Sequence, residues 1–573
     1  MAAHDRGGRT PIRFGYWAVI GLVFLGLSWT VEHIRGSQAQ PAAPPAAAPP
    51  AVPAAAPAAT APAAPRPGST CTIVSAVELH DEGGHLSVGV HQPPPAGRSK
   101  LRIDKPAPQK PFYDELKWIA LLLVFIAFVI SRLPRVELQH TEAFRRRRTL
   151  NWLPLGLTYA FLYMGRYNMT VLQNVGALST SDYGDIASWG ALVYGLSFVV
   201  NGPLTDRWGG RITILISASG TLVTNTIIGV LIATGHTGNL KTTFSLLYAL
   251  NMYFQSFGAV SIVKVNAAWF HLRERGTFGG IFGILISLGL YFAYDWGFRI
   301  ANAYPTHLEY LFYVPAAILA VFFVLCVVFV HDSPSGAGHP DFDVGDASSG
   351  QSLTPDPVWS VFARLLSSRI IIIITAIEFC SGFLRQAILQ WYRDFAKGVG
   401  ATGSFVYVHW GLVSCIAGIT GGIFAGLISD HVFGSRRAPV AAVLYGLMLV
   451  GALVVLSAMG QPLAVSWTIA VMSMAIIGVH GVLSGTASAD FGGRKNAGVA
   501  VGIIDGFVYL GTAFQAQVYG HALPEKGTCA ARQLHRWAAW PQWMIPMAIV
   551  GLAFGVVLWN ARPDKPKPPA AAV

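Results

Sequence analysis

Two arginines stand where arginine is costly. Arg166 lies within the apolar stretch Trp152–Leu172, in YAFLYMGRYNM, and Arg385 within Ile370–Ala396, in FCSGFLRQAILQWY. Each is about 15 residues into its stretch, roughly 22 Å along a helix, which is inside the hydrocarbon of a bilayer the stretches would span. A permanent charge there costs at least about 2.5–3.5 kcal/mol and calls for a polar cavity. A guanidinium offers paired planar donors that suit phosphate or carboxylate, and two converging would neutralise a dianion. The expected chemistry is therefore coordination of an anion. Glu378, the acidic residue nearest Arg385 in its stretch, is two helical turns away, too far for a direct pair, and no acidic residue lies near Arg166 in its own.

Other polar residues inside apolar stretches are weaker candidates. Lys264 is a third cation, placed either at the substrate or near the mouth of a cavity. Tyr163 and Tyr167 flank Arg166, while Tyr194 and Tyr253 lie in neighbouring stretches; tyrosine hydroxyls can donate to phosphate oxygens, although aromatics in a bundle usually serve packing. Gln386 and Gln390 follow Arg385 at i+1 and i+5, which puts Gln390 about 140° from it around the helix; one of the two is expected to share the pocket, with Gln390 the candidate. Asp505, in VGIIDGFVYLG, is a candidate for proton coupling, and His409 and His480 are also titratable groups within apolar stretches. Asp295 with Arg299, and Arg393 with Asp394, read as local pairs near helix ends.

The elements that must position these residues are membrane helices. Of 573 residues 53% are hydrophobic and only 12% charged, which excludes an ordinary soluble domain. The net charge of +12 falls mainly in short loops without an aromatic-interleaved basic module, so it marks membrane orientation and not nucleic-acid binding. The five cysteines, Cys71, Cys326, Cys380, Cys415 and Cys529, lack metal spacing, and neither a metal nor another cofactor is expected.

The expected fold is an all-α membrane protein with two six-helix bundles and two further helices in front. Residues 1–149 form the extension: an apolar run from Phe14 to about Val31, an Ala/Pro-rich spacer from Gln40 to Pro67, a weakly alternating stretch within 70–90 that suggests a hairpin, and a second apolar helix, Leu116–Ile130. The first run is either an anchor or a signal peptide ending near Ala39, with Glu32, His33 and Arg35 favouring the anchor. Arg145 to Arg148 then mark the cytoplasmic side. Twelve spans follow, at about 152–172, 186–205, 211–233, 242–270, 277–299 and 309–330 in the first bundle (150–331), and 370–396, 405–428, 438–458, 464–487, 497–520 and 540–560 in the second (369–562). A Gly/Pro/Ser/Asp-rich linker, 332–368, separates the bundles, and 563–573 is a tail without core-forming residues.

The halves repeat. GPLTDRWGGR, ending at Arg211, follows the second span, and GLISDHVFGSRR, ending at Arg437, follows the eighth. The aspartates Asp206 and Asp430 are 224 residues apart and the two arginines 219, similar offsets that indicate a duplicated unit. WFHLRERG after the fourth span is echoed by DFGGRKNAG after the tenth, placing Arg275 and Arg494 in corresponding loops. The paired loops resemble the G-x-L-x-D-R-x-G-R-R motif of the major facilitator superfamily over about 150–562. The resemblance implies a conformational latch: Asp206 or Asp430, with Arg207, Arg211, Arg436, Arg275 and Arg494, held at a helix N-terminus of the opposite half when the cytoplasmic side is closed, a contact worth about 0.3–2 kcal/mol.

Within that superfamily GRYNM, WFHLRERG and FLRQAILQW resemble the organophosphate:phosphate antiporter family, in which one arginine of the first helix and one of the seventh meet on the substrate phosphate. The resemblance puts those roles on Arg166 and Arg385 and a basic residue at Lys264. Four positions depart from the glycerol-3-phosphate carriers: Tyr167 and Phe198 replace lysines, Gly279–Gly289 lacks a histidine, and Asp505 replaces a small residue. Fewer positive and more negative groups imply a larger or less charged anion, or a zwitterion.

The resulting expectation is a secondary transporter that exchanges an organic anion for phosphate or couples it to protons. No GxxxxGK[ST] loop is present, and no nucleophile, base and orienter cluster suggests an enzyme. A sugar-phosphate-type sensor is the alternative within the family, and a proton-driven exporter using Asp505 is a third. The expected surroundings are the lipid bilayer of a bacterial inner membrane and a small anionic substrate, with the chain a monomer and the extension available to a protein partner.

Overall fold

In hydrocarbon each backbone N–H and C=O must be satisfied within its own segment, so apolar runs of this length become helices. The computed structural model describes residues 73–74, 77–82, 85–90, 101, 112–132, 140–236, 239–271, 275–342, 360, 363, 365–433, 436–483 and 497–560. The alternating stretch forms a three-stranded antiparallel sheet, β1 (Ile73–Val74), β2 (Val77–Glu82) and β3 (His85–Val90), with Val77 opposite Val90. Helix α1 (Phe112–Arg132) precedes the bundles. The apolar run at Phe14–Val31 and the Ala/Pro spacer lie outside the described residues.

The first repeat comprises α2 (Glu142–Asn174), α3 (Thr180–Trp208), α4 (Gly210–Thr234), α5 (Leu240–Trp269), α6 (Arg275–Tyr291) continuing through a π-helical turn, Phe292–Trp296, into α7 (Gly297–Ala303), and α8 (Tyr310–Phe329). The second comprises α9 (Arg369–Gly398), a short turn α10 (Phe405–Val408) leading to α11 (Trp410–Leu427), α12 (Arg437–Ser457), α13 (Pro462–His480), α14 (Ala497–Ala522) and α15 (Ala539–Val557). Each span expected after residue 150 falls on a helix where it is described, and among the described residues eight helical segments are long and apolar enough to cross a membrane on length and composition. Their outward faces expose Leu246, Val263, Val321, Val450 and Leu463, as lipid-facing surfaces do.

The halves meet along two seams, α3 against α14 and α6 against α11. These seams correspond under the repeat, each pairing the second helix of one half with the fifth of the other. Glycine sets the approach of the first: a Cβ on Gly184 would lie 2.5 Å from the Gly520 Cα, and one on Gly195 would lie 2.8 Å from the Gly506 carbonyl oxygen. Helix α1 is not loose beside the bundle, because its Trp118 ring packs 5.3 Å from Phe405 and 4.9 Å from His409.

The first loop motif has a structural basis. Gly209 adopts φ +88°, a left-handed conformation that suits glycine, and its missing Cβ leaves room for Asp332, whose Oδ1 accepts the Arg211 N–H at 2.9 Å at the start of α4. Cysteine chemistry departs from expectation at one place: Cys529, in the loop before α15, is disulfide-bonded, while Cys326, Cys380 and Cys415 are buried free thiols.

Candidate anion site and its closure

Arg166 projects from the middle of α2 and is 3% exposed. Its guanidinium is oriented entirely by neutral acceptors. Nε donates to Gln255 Oε1 at 2.9 Å, one terminal nitrogen to the Tyr509 hydroxyl at 2.8 Å and the other to the Tyr194 hydroxyl at 3.0 Å. The Tyr194 ring lies 4.5 Å and the Tyr163 ring 4.9 Å from the guanidinium carbon, adding cation–π attraction. Gln255 is itself fixed, since its Nε2 donates to Asn251 Oδ1 at 3.3 Å and Asn251 donates to the Gly165 carbonyl at 2.9 Å. Among the described residues no carboxylate pairs with Arg166, so its charge is held in place without being cancelled.

Arg385, on α9, faces it across the halves. Tyr509 bridges the two: its hydroxyl holds Arg166 and its ring centre lies 6.0 Å from the Arg385 guanidinium carbon. Tyr163 and Tyr167 also stand within electrostatic reach of both guanidinia. Tyr167 accepts from Gln386 Nε2 at 3.0 Å, a second link between the halves in this plane. The Arg385 Nε is buried and meets no hydrogen-bond acceptor among the described residues. A buried charged donor left open is expensive unless something else fills it, and an anion from solution would supply the missing acceptor.

The remaining expected residues divide. Tyr163 and Tyr194 both contact Arg166; Gln390 is buried on α9 with no partner for its Oε1 among the described residues, and Gln386 is the glutamine that reaches the Tyr167 hydroxyl. Tyr253 packs edge-on against Phe254 and Phe257 on its own helix. Lys264 is not a buried cation: it forms a 2.8 Å ion pair with Asp206, with side-chain exposures of 42% and 61%. Asp206 is thereby engaged within its own half. Arg207 is exposed, Arg211 donates to the Val327 carbonyl at 2.6 Å, and Arg436 Nε donates to the Phe433 carbonyl at 3.0 Å. Asp430 lies in the π turn Ile428–Val432 and Arg275 opens α6, both outside the described side chains, and Arg494 is outside the described residues. Asp505 is half-buried one turn before Tyr509 on α14.

Gln255 and Tyr509 carried no sequence signal beyond being polar or aromatic within a span. Three of the residues read as local pairs, Asp295, Arg393 and Asp394, also make contacts between the halves, at the ends of their helices away from Arg145–Arg148. Asp295, in the π turn between α6 and α7, accepts the N–H groups of Gly411 (2.8 Å) and Leu412 (3.0 Å) at the N-terminus of α11. Glu525, just beyond α14, accepts those of Thr180 (2.8 Å) and Ser181 (3.0 Å) at the N-terminus of α3. Each half thus supplies a carboxylate to an orphan helix end of the other. Between them Asp394 is buried against Gln173 and Asn174 of α2 and lies 3.4 Å from Lys526. Burial pulls the Lys526 ammonium down to about 8, with Asp394 opposing the shift. The Arg393 guanidinium carbon lies over the Phe298 ring, 3.5 Å from its centre, again across the halves.

The sequence model of the Major Facilitator Superfamily matches residues 155–516. The glycerol-3-phosphate transporter of Bacillus subtilis is 25% identical over 453 residues, 73% of this chain and 94% of that protein. The membrane sensor protein UhpC of Escherichia coli is 26% identical over 416 residues, 66% and 86%. A probable hexose phosphate transport protein of Chlamydia trachomatis is 24% identical over 437 residues, 71% and 89%. Among solved structures, a bacterial homologue of the human lysosomal transporter Spinster, inward-facing and unoccupied, superposes with TM-score 0.57 at 14% identity, covering 75% of this chain and all of that one. A D-xylose–proton symporter gives 0.53 at 14% identity, covering 72% and 97%. These structures share the fold.

Proposed function

Because this chain belongs to the Major Facilitator Superfamily and is a multi-pass membrane protein, we propose that it is a secondary transporter of an organophosphate or related phosphorylated metabolite. With α6 and α7 taken as one continuous helix and α10 as a turn, the helices after residue 140 are read as twelve spans, with α1 and the apolar run at residues 14–31 as two more in the extension. Arg145–Arg148 put their end in the cytoplasm of a bacterial inner membrane, so the sealed end faces outward. The substrate phosphate would bind between Arg166 and Arg385 and be exchanged for phosphate or coupled to protons as the halves rock about the site.

The observation that carries this reading is the open, buried Nε of Arg385 opposite an Arg166 held only by neutral groups. Tyr167 and Phe198, where the glycerol-3-phosphate carriers have lysines, make the site aromatic: Tyr167 stands near both guanidinia and Phe198 packs 5.0 Å from Tyr194. Fewer cations and more ring surface favour a bulkier, less charged organophosphate than glycerol-3-phosphate.

The test is exchange of labelled phosphate in proteoliposomes, with organic phosphates as competitors. Exchange should be rapid in the wild type and reduced at least about tenfold by Arg166→Lys or Arg385→Lys, since a lysine cannot reproduce a forked two-donor contact. Exchange that survives both substitutions contradicts the reading. The similarity to UhpC supports a second reading, a sensor that binds through the same arginines without bulk flux; organophosphate binding without exchange would select it.

A further inference from the structure

A fully buried carboxyl group in the second half lies outside the anion site. Glu378, on α9 two turns before Arg385, is fully buried, and its Oε2 lies 3.2 Å from Nδ1 of His480 at the end of α13. Its other oxygen, Oε1, meets no donor in good geometry among the described residues, although the Ser381 hydroxyl is beside it. His480 is the more exposed partner: its side chain is 25% exposed while that of Glu378 is at 0%. A carboxyl and an imidazole in this contact share a proton between them, and the imidazole gives that proton a route to solvent.

The surrounding charges make the pair responsive. On α9 itself Arg385, Ser381 and Cys380 are near; from α14 Asp505 faces His480; from α12 Tyr445 faces Glu378 and donates to the Ile377 carbonyl at 2.6 Å. Arg385 acts on both members. When an anion pairs with Arg385, the positive field over Glu378 and His480 weakens, and the pair gains affinity for a proton. By reciprocity a proton there strengthens anion binding.

We propose that Glu378 and His480 form a proton-binding site, separate from the anion site and coupled to it through Arg385. One proton enters from the side to which His480 is exposed, is held between Oε2 and Nδ1, and leaves by the same imidazole. The coupling rests on the anion reading above; the existence of the proton site does not.

Two measurements separate these parts. Infrared difference spectra of the purified protein, recorded across about pH 5 to 9, should show a carboxylic acid band that titrates and that Glu378→Gln abolishes. His480→Gln, which keeps a hydrogen-bonding side chain and guards against misfolding of the first variant, should move its midpoint. Identical spectra in wild type and both variants would overturn the site. Inorganic phosphate binding should then weaken with rising pH more steeply in wild type than in Glu378→Gln, by up to about tenfold per unit for one linked proton. Phosphate's own titration is common to both proteins and cancels. Equal slopes would overturn the coupling. Wild-type protein that shows the band but neither binds nor exchanges phosphate would remove the phosphate reading and its coupling while the proton site stands.

Discussion

At the scale of single residues, the site works by holding charge without neutralising it. Arg166 has three hydrogen-bond acceptors and no carboxylate among the described residues, so an arriving anion finds a guanidinium already aimed and still positive. Gln255→Glu tests this, because it keeps the shape and the hydrogen bond but adds the cancelling charge. Phosphate affinity should fall about tenfold or more, roughly 1.4 kcal/mol, while thermal stability is unchanged or higher. Wild-type affinity in calorimetric titration would contradict it. The two arginines were legible in the sequence because a permanent charge inside an apolar run has few structural uses. Tyr509 and Gln255 were not, since a tyrosine or glutamine in a span is ordinary until the neighbouring helix is known. Of the two places the sequence left open for Lys264, at the substrate or at the mouth of a cavity, it takes an exposed one near the end of its span, paired with Asp206.

At the scale of elements, helix ends are the moving parts. Asp295 on the N-terminus of α11 and Glu525 on that of α3 should each contribute about 0.3–2 kcal/mol to the sealed conformation. Asp295→Asn and Glu525→Gln should each shift spin-label distances across the outer end modestly toward opening, and the double variant should shift them further. Unchanged distances in the double variant would deny these contacts a gating role. Lys526 adds a pH term whose sign is opposite to that of an ordinary salt bridge. Its ammonium is pulled down to about 8 by burial in the sealed state and returns toward its usual value near 10.4 once solvated. The sealed state therefore binds fewer protons between about pH 8 and 10, and alkalinity favours it by at most about 1.4 kcal/mol per unit. Distances measured at about pH 7.5 and 9.5 should show more sealing at the higher value, and Lys526→Met should abolish the change. Spacing within one helix pairs Arg393 with Asp394 and Asp295 with Arg299; Asp295, Arg393 and Asp394 also reach across to the other half, which no local pattern reveals.

At the scale of the whole molecule, the fold was the most legible feature, because hydrophobic length and the repeated loop motif report directly on it. The span boundaries agree with the helices to within a few residues at most ends; α2 extends further, starting at Glu142 ahead of the arginine run. What the sequence did not disclose is how closely the halves approach. The α3–α14 seam depends on Gly184 lying against Gly520, so Gly184→Val should force backbones apart at the sealed end. Overpacking of this kind typically costs about 1–3 kcal/mol, and it should appear as a lower melting temperature together with outer-end opening. A melting temperature equal to the wild type's would show that the seam is looser than its geometry implies.

The two carboxylates also face opposite ways across the repeat: each half holds one of the other's helices and is held in return. Loss of either grip leaves its counterpart in place, so the barrier has no single point of failure. A membrane that stores energy in ion gradients is drained by any pore that stays ajar, and this reciprocal arrangement gives a thin barrier the redundancy of a double-locked door.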